Sequence, residues 1–181
     1  MIEEVVLVNE KDEALGAMEK MAAHEQAILH RAFSVFVFNK NGDVLMQQRA
    51  YSKYHSGGLW TNTCCSHPAP DEETIEAAHS RLRHEMGFDC ELQEIFSFAY
   101  RVELDNGMTE HEYDHVFIGK YNGQVKMNPE EASDYKWIDP EDLYIDMKDN
   151  SDNYTYWFKQ SVEKVVKTAE LNLDKPEVEN R

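Results

Sequence analysis

Runs of apolar residues separated by turn-forming residues predict a β-sheet in the first third of the chain. Residues 32–39 are almost continuously apolar and rich in Phe and Val, which is typical of a strand covered on both faces. An Asn-Gly turn at 41–42 separates this run from residues 44–49, so the two segments are predicted to form a hairpin. A shorter apolar run at 5–8 indicates a further strand that needs a partner to be stable.

Helical periodicity follows in the second half of the chain. Acidic residues at 71–73 complement the dipole of a helix N-terminus, so we expect a helix that begins at Pro70 and ends at Gly87, a C′ glycine. Its apolar stripe is predicted to comprise Ile75, Ala78, His79, Leu82 and Met86. Residues 139–141 open another helix, and a last helix with Trp157 on its apolar side is expected over 153–171.

A second hairpin is predicted from residues 94–104 and 108–121, which flank an Asp-Asn-Gly turn. In its second strand Glu110, Glu112 and Asp114 alternate, so their carboxylates project from one face. Such like charges repel each other, and two alternatives remain open on this pattern. An exposed edge strand would tolerate the repulsion. Alternatively, the same carboxylates would act as metal ligands or catalytic groups.

Length and charge limit the classes of function. The 181 residues suit one domain, predicted over 1–171 with a polar tail over 172–181. The net charge of -17, from 18 basic and 35 acidic residues, would repel a phosphate backbone and argues against a nucleic-acid partner. An anionic substrate would need a local cluster of Lys and Arg.

Cysteine usage and hydropathy bear on the compartment. The three cysteines give no even-numbered disulfide framework, and no N-terminal apolar run resembles a signal peptide, so a cytoplasmic protein is expected. No apolar stretch approaches the roughly 20 residues that span a bilayer, so membrane insertion is not expected.

The segment from Leu59 to Pro68 concentrates reactive side chains. Cys64 and Cys65 are followed by His67 in a stretch without helical period, which is typical of an active-site loop. His24 and His30 are six residues apart, so they do not share a helical face, and each alone is interpreted as a surface or packing histidine.

Charged residues near this loop have ordinary explanations on position alone. Arg49 and Lys53 are interpreted as solvated surface cations, and Arg81 with Glu85 as an i,i+4 helical pair. Taken together, however, the histidines and the alternating acids suit a nitrogen and oxygen site for Zn²⁺, Mn²⁺ or another first-row divalent metal. The candidate set is His24, His30, His67, Glu110 and Glu112.

Two motifs carry a resemblance to a known family. The run Trp60-Thr61-Asn62-Thr63-Cys64-Cys65-Ser66-His67-Pro68, together with Glu110-His111-Glu112, resembles type I isopentenyl-diphosphate Δ-isomerase. The resemblance covers nearly the whole chain. It implies an α/β fold of the Nudix type, a mixed sheet between helices in a single domain, and interconversion of isopentenyl and dimethylallyl diphosphate without a flavin or other redox cofactor.

The resemblance also implies roles for individual residues. His24, His30, His67, Glu110 and Glu112 would hold one divalent metal, for which Mn²⁺ or Zn²⁺ is expected, and Glu85 with the Cys65 carbonyl would hold a Mg²⁺ on the substrate diphosphate. Cys65 and Glu112 would be the acid/base pair, with Tyr100 supporting Glu112 and Trp157 facing the carbocation. The implied diphosphate contacts are Lys20, Arg49, Lys53, Ser66 and Arg81.

Two other functions remain alternatives. A Nudix pyrophosphohydrolase ends its helical motif with Arg-Glu-x-x-Glu-Glu-x-Gly, whereas residues 80–87 keep only the acid Glu85, which removes most of a Mg²⁺ cluster. A non-catalytic, metal-stabilised binding module would use Cys65 and Tyr100 only for packing.

Overall fold

A computed structural model describes residues 3–173, which form one mixed sheet of nine strands with four α-helices. The strands are β1 Glu4–Val8, β2 Ala14–Glu19, β3 His30–Phe38, β4 Val44–Arg49, β5 Trp60–Thr61, β6 Cys64–Ser66, β7 Leu92–Glu103, β8 Thr109–Lys120 and β9 Ala132–Ile138. The helices are α1 Lys20–Glu25, α2 Thr74–Met86, α3 Pro140–Asp149 and α4 Tyr156–Leu173.

Strand β3 is the centre of the sheet. Along one edge it pairs in parallel with β8, from His30 opposite Glu112 to Phe38 opposite Lys120. Along the other edge it pairs antiparallel with β1, β6 and β4 in turn. The two predicted hairpins, β3 with β4 and β7 with β8, are confirmed.

Both faces of β3 are buried, as its continuous apolar run predicts. Val35 and Val37 face a core layer that contains Leu82 and other side chains of α2. Phe36, by contrast, faces the layer formed with α3 and α4 and stacks on Phe158 with ring centroids 5.9 Å apart. The sheet therefore lies between helices, which confirms the expected α/β architecture.

Helix α2 begins later than the sequence suggested. It starts at Thr74, because residues 69–72 close a turn in which the Glu72 amide donates to the Ala69 carbonyl at 3.0 Å. Its end at Gly87 agrees with the prediction: φ is +74°, and a Cβ at this position would lie 2.4 Å from the Lys126 carbonyl oxygen.

Helix α4 also begins three residues later than predicted, at Tyr156. Residues 151–153 form a separate 3₁₀ turn, and the Thr155 amide then donates to the Trp60 carbonyl at 3.0 Å, which ties the helix entry to β5. The helix runs to Leu173, two residues into the predicted polar tail, and residues 174–181 lie outside the described residues. No helix within residues 3–173 combines the length and the apolar composition needed to cross a membrane.

Candidate active site

One cavity collects the candidate residues. Its walls come from α1, β3, β4, β6, β7, β8, the loop after β4, and the two helices α2 and α4. All of the predicted site residues line it except His24 and His30, which lie behind Glu110 and Glu112 in the buried cluster described below.

Strand β6 directs the side chains of the two neighbouring cysteines to opposite sides. Cys64 is fully buried in the core layer of α2, whereas Cys65 and His67 line the cavity, as alternation along a strand requires. Burial raises the pKa of the Cys65 thiol to about 12, so the thiol holds its proton at neutral pH. Cys65 is therefore a neutral group on the cavity wall.

Five side chains converge in the predicted metal cluster. Each of His24, His30, His67, Glu110 and Glu112 offers one donor atom, and these atoms all lie within 4.8 Å of one another. Helix α1 supplies His24 from its last turn, and His30 is the first residue of β3. The short helix and the strand start therefore bring together two histidines that no single helical face would align.

The histidine tautomers fit a cation at this cluster. His24 Nδ1 donates to the Lys20 carbonyl at 2.7 Å, and His30 Nδ1 donates to the Ile28 carbonyl at 2.8 Å. In the neutral rings the Nε2 lone pairs then point inward, and His24 Nε2 lies 3.1 Å from a Glu110 oxygen, which is also an acceptor. His30 Nε2 has no hydrogen-bond partner among the described residues. A divalent cation would satisfy these facing lone pairs, and backbone carbonyls that fix the tautomer are usual around metal-bound histidines.

Glu112 joins this cluster to the cavity. One oxygen lies 2.7 Å from His67 Nε2, and the other accepts a hydrogen bond from the Tyr100 hydroxyl at 2.6 Å. Burial raises the pKa of Glu112, but the nearby imidazole of His30, 3.6 Å away, and the hydrogen bond with His67 outweigh it and hold that pKa well below the usual range. Burial and the Glu112 charge raise the pKa of Tyr100 well above its usual value, so the phenol stays a donor to Glu112.

The exposed-edge alternative for β8 is wrong. This strand lies between β3 and β7, and Glu110, Glu112 and Asp114 are all buried. Asp114 accepts a hydrogen bond from the Ser34 hydroxyl at 2.8 Å, and burial together with the Glu112 charge raises the pKa of Asp114 well above its usual value. The alternating acids thus belong to the interior.

The surface interpretation of Arg49 and Lys53 is also wrong. Arg49 is only 9% exposed, and its guanidinium carbon lies 5.4 Å from the ring centroid of Trp157. Lys53 forms an ion pair with Glu131, with which Arg81 also forms an ion pair at 3.2 Å. Burial raises the pKa of Glu131, but the Lys53 hydrogen bond and the Arg81 charge lower it to about 2. Arg49 is thus held at the cavity beside the buried Trp157, and Lys53 by the half-buried Glu131.

Arg81 and Glu85 form the predicted i,i+4 pair at 2.6 Å, but in a buried setting, since Glu85 is 4% exposed. The other Glu85 oxygen accepts from Gln47 Nε2 at 2.7 Å. Trp157 is also buried, and its Nε1 has no partner among the described residues. The Arg81–Glu85 pair is therefore more than a surface contact on a helix.

Sequence reasoning missed several cavity residues, among them Gln47, Tyr54 and His55. Glu131, which pairs with the cavity cations, was missed as well. Gln47 and Glu131 had no local signal, because each acquires its role through a contact at least 38 positions away in the chain. His55 offered one signal: it is a histidine in an irregular stretch four residues before the Leu59–Pro68 segment.

Known proteins resemble this chain in both sequence and fold. Residues 28–177 match the NUDIX domain family. The chain is 48% identical over 172 residues to isopentenyl-diphosphate Delta-isomerase 2 of Aromatoleum aromaticum, covering 95% of this chain and 91% of the relative. It is 49% identical over 156 residues to isopentenyl-diphosphate Delta-isomerase of Pectobacterium atrosepticum, covering 86% and 87%. Among solved structures, DR0079 from Deinococcus radiodurans matches with a TM-score of 0.73 and 20% identity over 92% of this chain and 98% of that one, which supports the fold.

Proposed function

This chain belongs to the isopentenyl-diphosphate Delta-isomerases of the NUDIX family, and from that premise we propose how its cavity interconverts isopentenyl and dimethylallyl diphosphate. A proton is added to the terminal carbon of the alkene, which leaves a tertiary carbocation, and a proton is then lost from the neighbouring methylene. The number of atoms and electrons is unchanged, so no oxidant or reductant is needed.

Cys65 and Glu112 are the proposed acid/base pair. They stand on β6 and β8, which pair with opposite edges of β3, and both line the cavity. This placement of two proton-transfer groups on separate walls of one cavity is the observation that carries the proposal. The Tyr100 hydroxyl supports Glu112 through its 2.6 Å hydrogen bond. Because the reaction is reversible, each group donates in one direction and accepts in the other.

The carbocation requires a site that excludes water and stabilises positive charge. Trp157 is 4% exposed and offers an indole face, for which a cation–π contribution of about 2 kcal/mol applies when the cation is desolvated. The buried Arg49 near its ring and the surrounding apolar layer shield the indole from solvent.

The diphosphate is assigned to the cations of the cavity. Lys20, Arg49, Lys53 and Arg81 line it together with Ser66, within a chain whose net charge is -17. Charge-assisted hydrogen bonds from these groups would hold the phosphate oxygens. Glu85 lines the same cavity and is the carboxylate proposed to hold a Mg²⁺ that enters with the substrate.

The His/Glu cluster is proposed as a site for Mn²⁺ or Zn²⁺, since three imidazoles suit these ions better than Mg²⁺. When bound, the metal would supply positive charge beside Glu112 and make its protonated form a stronger acid.

The three free cysteines fit the expected cytosolic setting.

The hydrolase alternative is disfavoured by the end of α2. Arg81 and His84 occupy the positions at which the hydrolase motif carries acids, and Arg81 instead forms ion pairs with Glu85 and Glu131. Release of phosphate from nucleoside diphosphate derivatives at enzymatic rates would reverse this assignment.

One experiment tests the proposed function directly. The purified, metal-loaded protein is incubated with isopentenyl diphosphate in deuterated water, and dimethylallyl diphosphate is analysed by NMR. We expect deuterium in its methyl groups, because the added proton comes from solvent-exchanging side chains. Absence of both product and label would reject the isomerase function for this chain.

A further inference from the structure

A fourth imidazole lies beside the His/Glu cluster. His55 is 5% exposed, and its Nε2 lies 2.6 Å from a Glu110 oxygen. It is not among the five side chains whose donor atoms share one small volume. Its place is therefore next to the cluster, in contact with one of the five.

The polar contacts of the His55 ring indicate its tautomer. His55 Nε2 and the Glu110 oxygen are in close contact at 2.6 Å, and because an ionised carboxylate only accepts, this contact is favourable only with the proton on Nε2. Its Nδ1 then carries the lone pair, and the Ser56 hydroxyl, 3.2 Å away, donates to it. The second Glu110 oxygen lies 3.1 Å from His24 Nε2, inside the cluster. His55 thus occupies the outward oxygen and leaves the inward one for a ligand.

The loop that carries His55 is held in place from several sides. The Arg49 guanidinium donates to the His55 carbonyl at 3.2 Å, and the Gly58 amide donates to the Arg49 carbonyl at 2.9 Å. The imidazole makes edge contacts with Tyr54 and with Trp157, at centroid distances of 4.4 and 6.0 Å. The ring is therefore fixed before any ligand arrives.

We propose that His55 is a positioning residue, which orients Glu110 through this 2.6 Å Nε2 contact and thereby raises the metal affinity of the cluster. The inference rests on the proposed metal centre. A carboxylate whose outer oxygen is held by a donor loses less rotational freedom when its inner oxygen binds a metal. Loss of such an outer partner usually weakens metal binding 10- to 100-fold.

The test compares two substitutions of similar length at this position. His55→Gln keeps an N–H donor at the reach of Nε2, whereas His55→Met has none. Zn²⁺ alone is titrated into each metal-free protein in competition with a chromophoric chelator. We expect about 10- to 100-fold weaker Zn²⁺ binding for His55→Met and a change of less than about threefold for His55→Gln.

A matched control lies outside the cavity. His79 Nδ1 also lies 2.6 Å from a carboxylate oxygen, that of Asp89, and His79→Met should leave Zn²⁺ affinity unchanged. Circular dichroism of the metal-free proteins checks that each variant is folded, and His55→Leu replaces His55→Met if the latter is not.

Two results would overturn the inference. Equal loss of affinity in His55→Gln and His55→Met would mean that the imidazole itself binds the metal. Unchanged affinity in His55→Met, or wild-type protein that binds no Zn²⁺ tightly, would mean that His55 has no role at a metal centre. Because the readout is Zn²⁺ binding and not turnover, it is separate from the deuterium experiment that tests the isomerase function.

Discussion

Replacement of the two neighbouring cysteines should affect different properties: Cys64→Ala should lower stability, and Cys65→Ala should lower the catalytic rate. Cys64 has no exposed surface and packs in the same core layer as Leu82 and Met86, whereas Cys65 lines the cavity. Cys64→Ala removes one buried sulfur, which is expected to lower the free energy of unfolding by about 1–2 kcal/mol and to leave kcat nearly unchanged.

Cys65→Ala removes a proton-transfer group from the cavity wall. General acid/base groups contribute about two to four orders of magnitude to kcat. At about 1.4 kcal/mol for each factor of ten, the activation free energy should rise by about 3–6 kcal/mol. Because only one small side chain is shortened in the cavity wall, the unfolding midpoint should change little.

The assay measures kcat for both variants by NMR detection of dimethylallyl diphosphate, alongside denaturant unfolding curves. A diphosphate-bearing epoxide provides a second readout: mass spectrometry should find the adduct on Cys65 and not on Cys64. An active Cys65→Ala protein, or a folded but inactive Cys64→Ala protein, would refute the assignment of the two sides of β6.

Three further outcomes are expected. Removal of bound metal with a strong chelator should abolish isomerisation, and Mn²⁺ or Zn²⁺ should restore it better than Mg²⁺ alone; full recovery in Mg²⁺ would contradict the softer-metal preference. Arg81→Ala and Lys53→Ala should mainly raise KM in steady-state kinetics, because their bonds to the diphosphate exist in ground and transition states alike. Trp157→Ala should instead lower kcat by roughly tenfold or more, as expected for loss of a cation–π contribution of about 2 kcal/mol, and an effect confined to KM would argue against a role at the carbocation.

The parts of the fold that depend on neighbouring residues could be predicted from the sequence. Both hairpins follow from apolar runs next to Asn-Gly turns, and Gly87 ends α2 because its backbone conformation favours glycine. The N-terminus of α2 was misplaced because Pro70 and the acids after it suit a turn as well as a first helical turn. Local preference alone does not distinguish the two.

The candidate site depended on contacts between distant segments. Strand β8 was open to interpretation as an edge because nothing in its own residues indicates the parallel pairing with β3, about 80 positions earlier. The same pairing places His30 opposite Glu112 and so brings together two of the five residues of the metal cluster. Family resemblance supplied the ligand set that spacing could not, but it gave no indication of His55 or Glu131.

The cavity cations also explain how an acidic protein can be organised around an anionic substrate. Lys53 and Arg81 both contact Glu131, and Arg81 also contacts Glu85, so each of these two cations already has an acidic partner. A diphosphate must therefore share these cations with Glu131 and Glu85, which already neutralise part of their charge. It gains less binding free energy from them than it would from unpaired cations. A Mg²⁺ that arrives on the diphosphate and binds Glu85 would release Arg81 from one partner and bring positive charge with the substrate. The paired acids partly neutralise the cations of the cavity, and if Glu85 holds Mg²⁺ as proposed, tight binding of the diphosphate should depend on its Mg²⁺-loaded form.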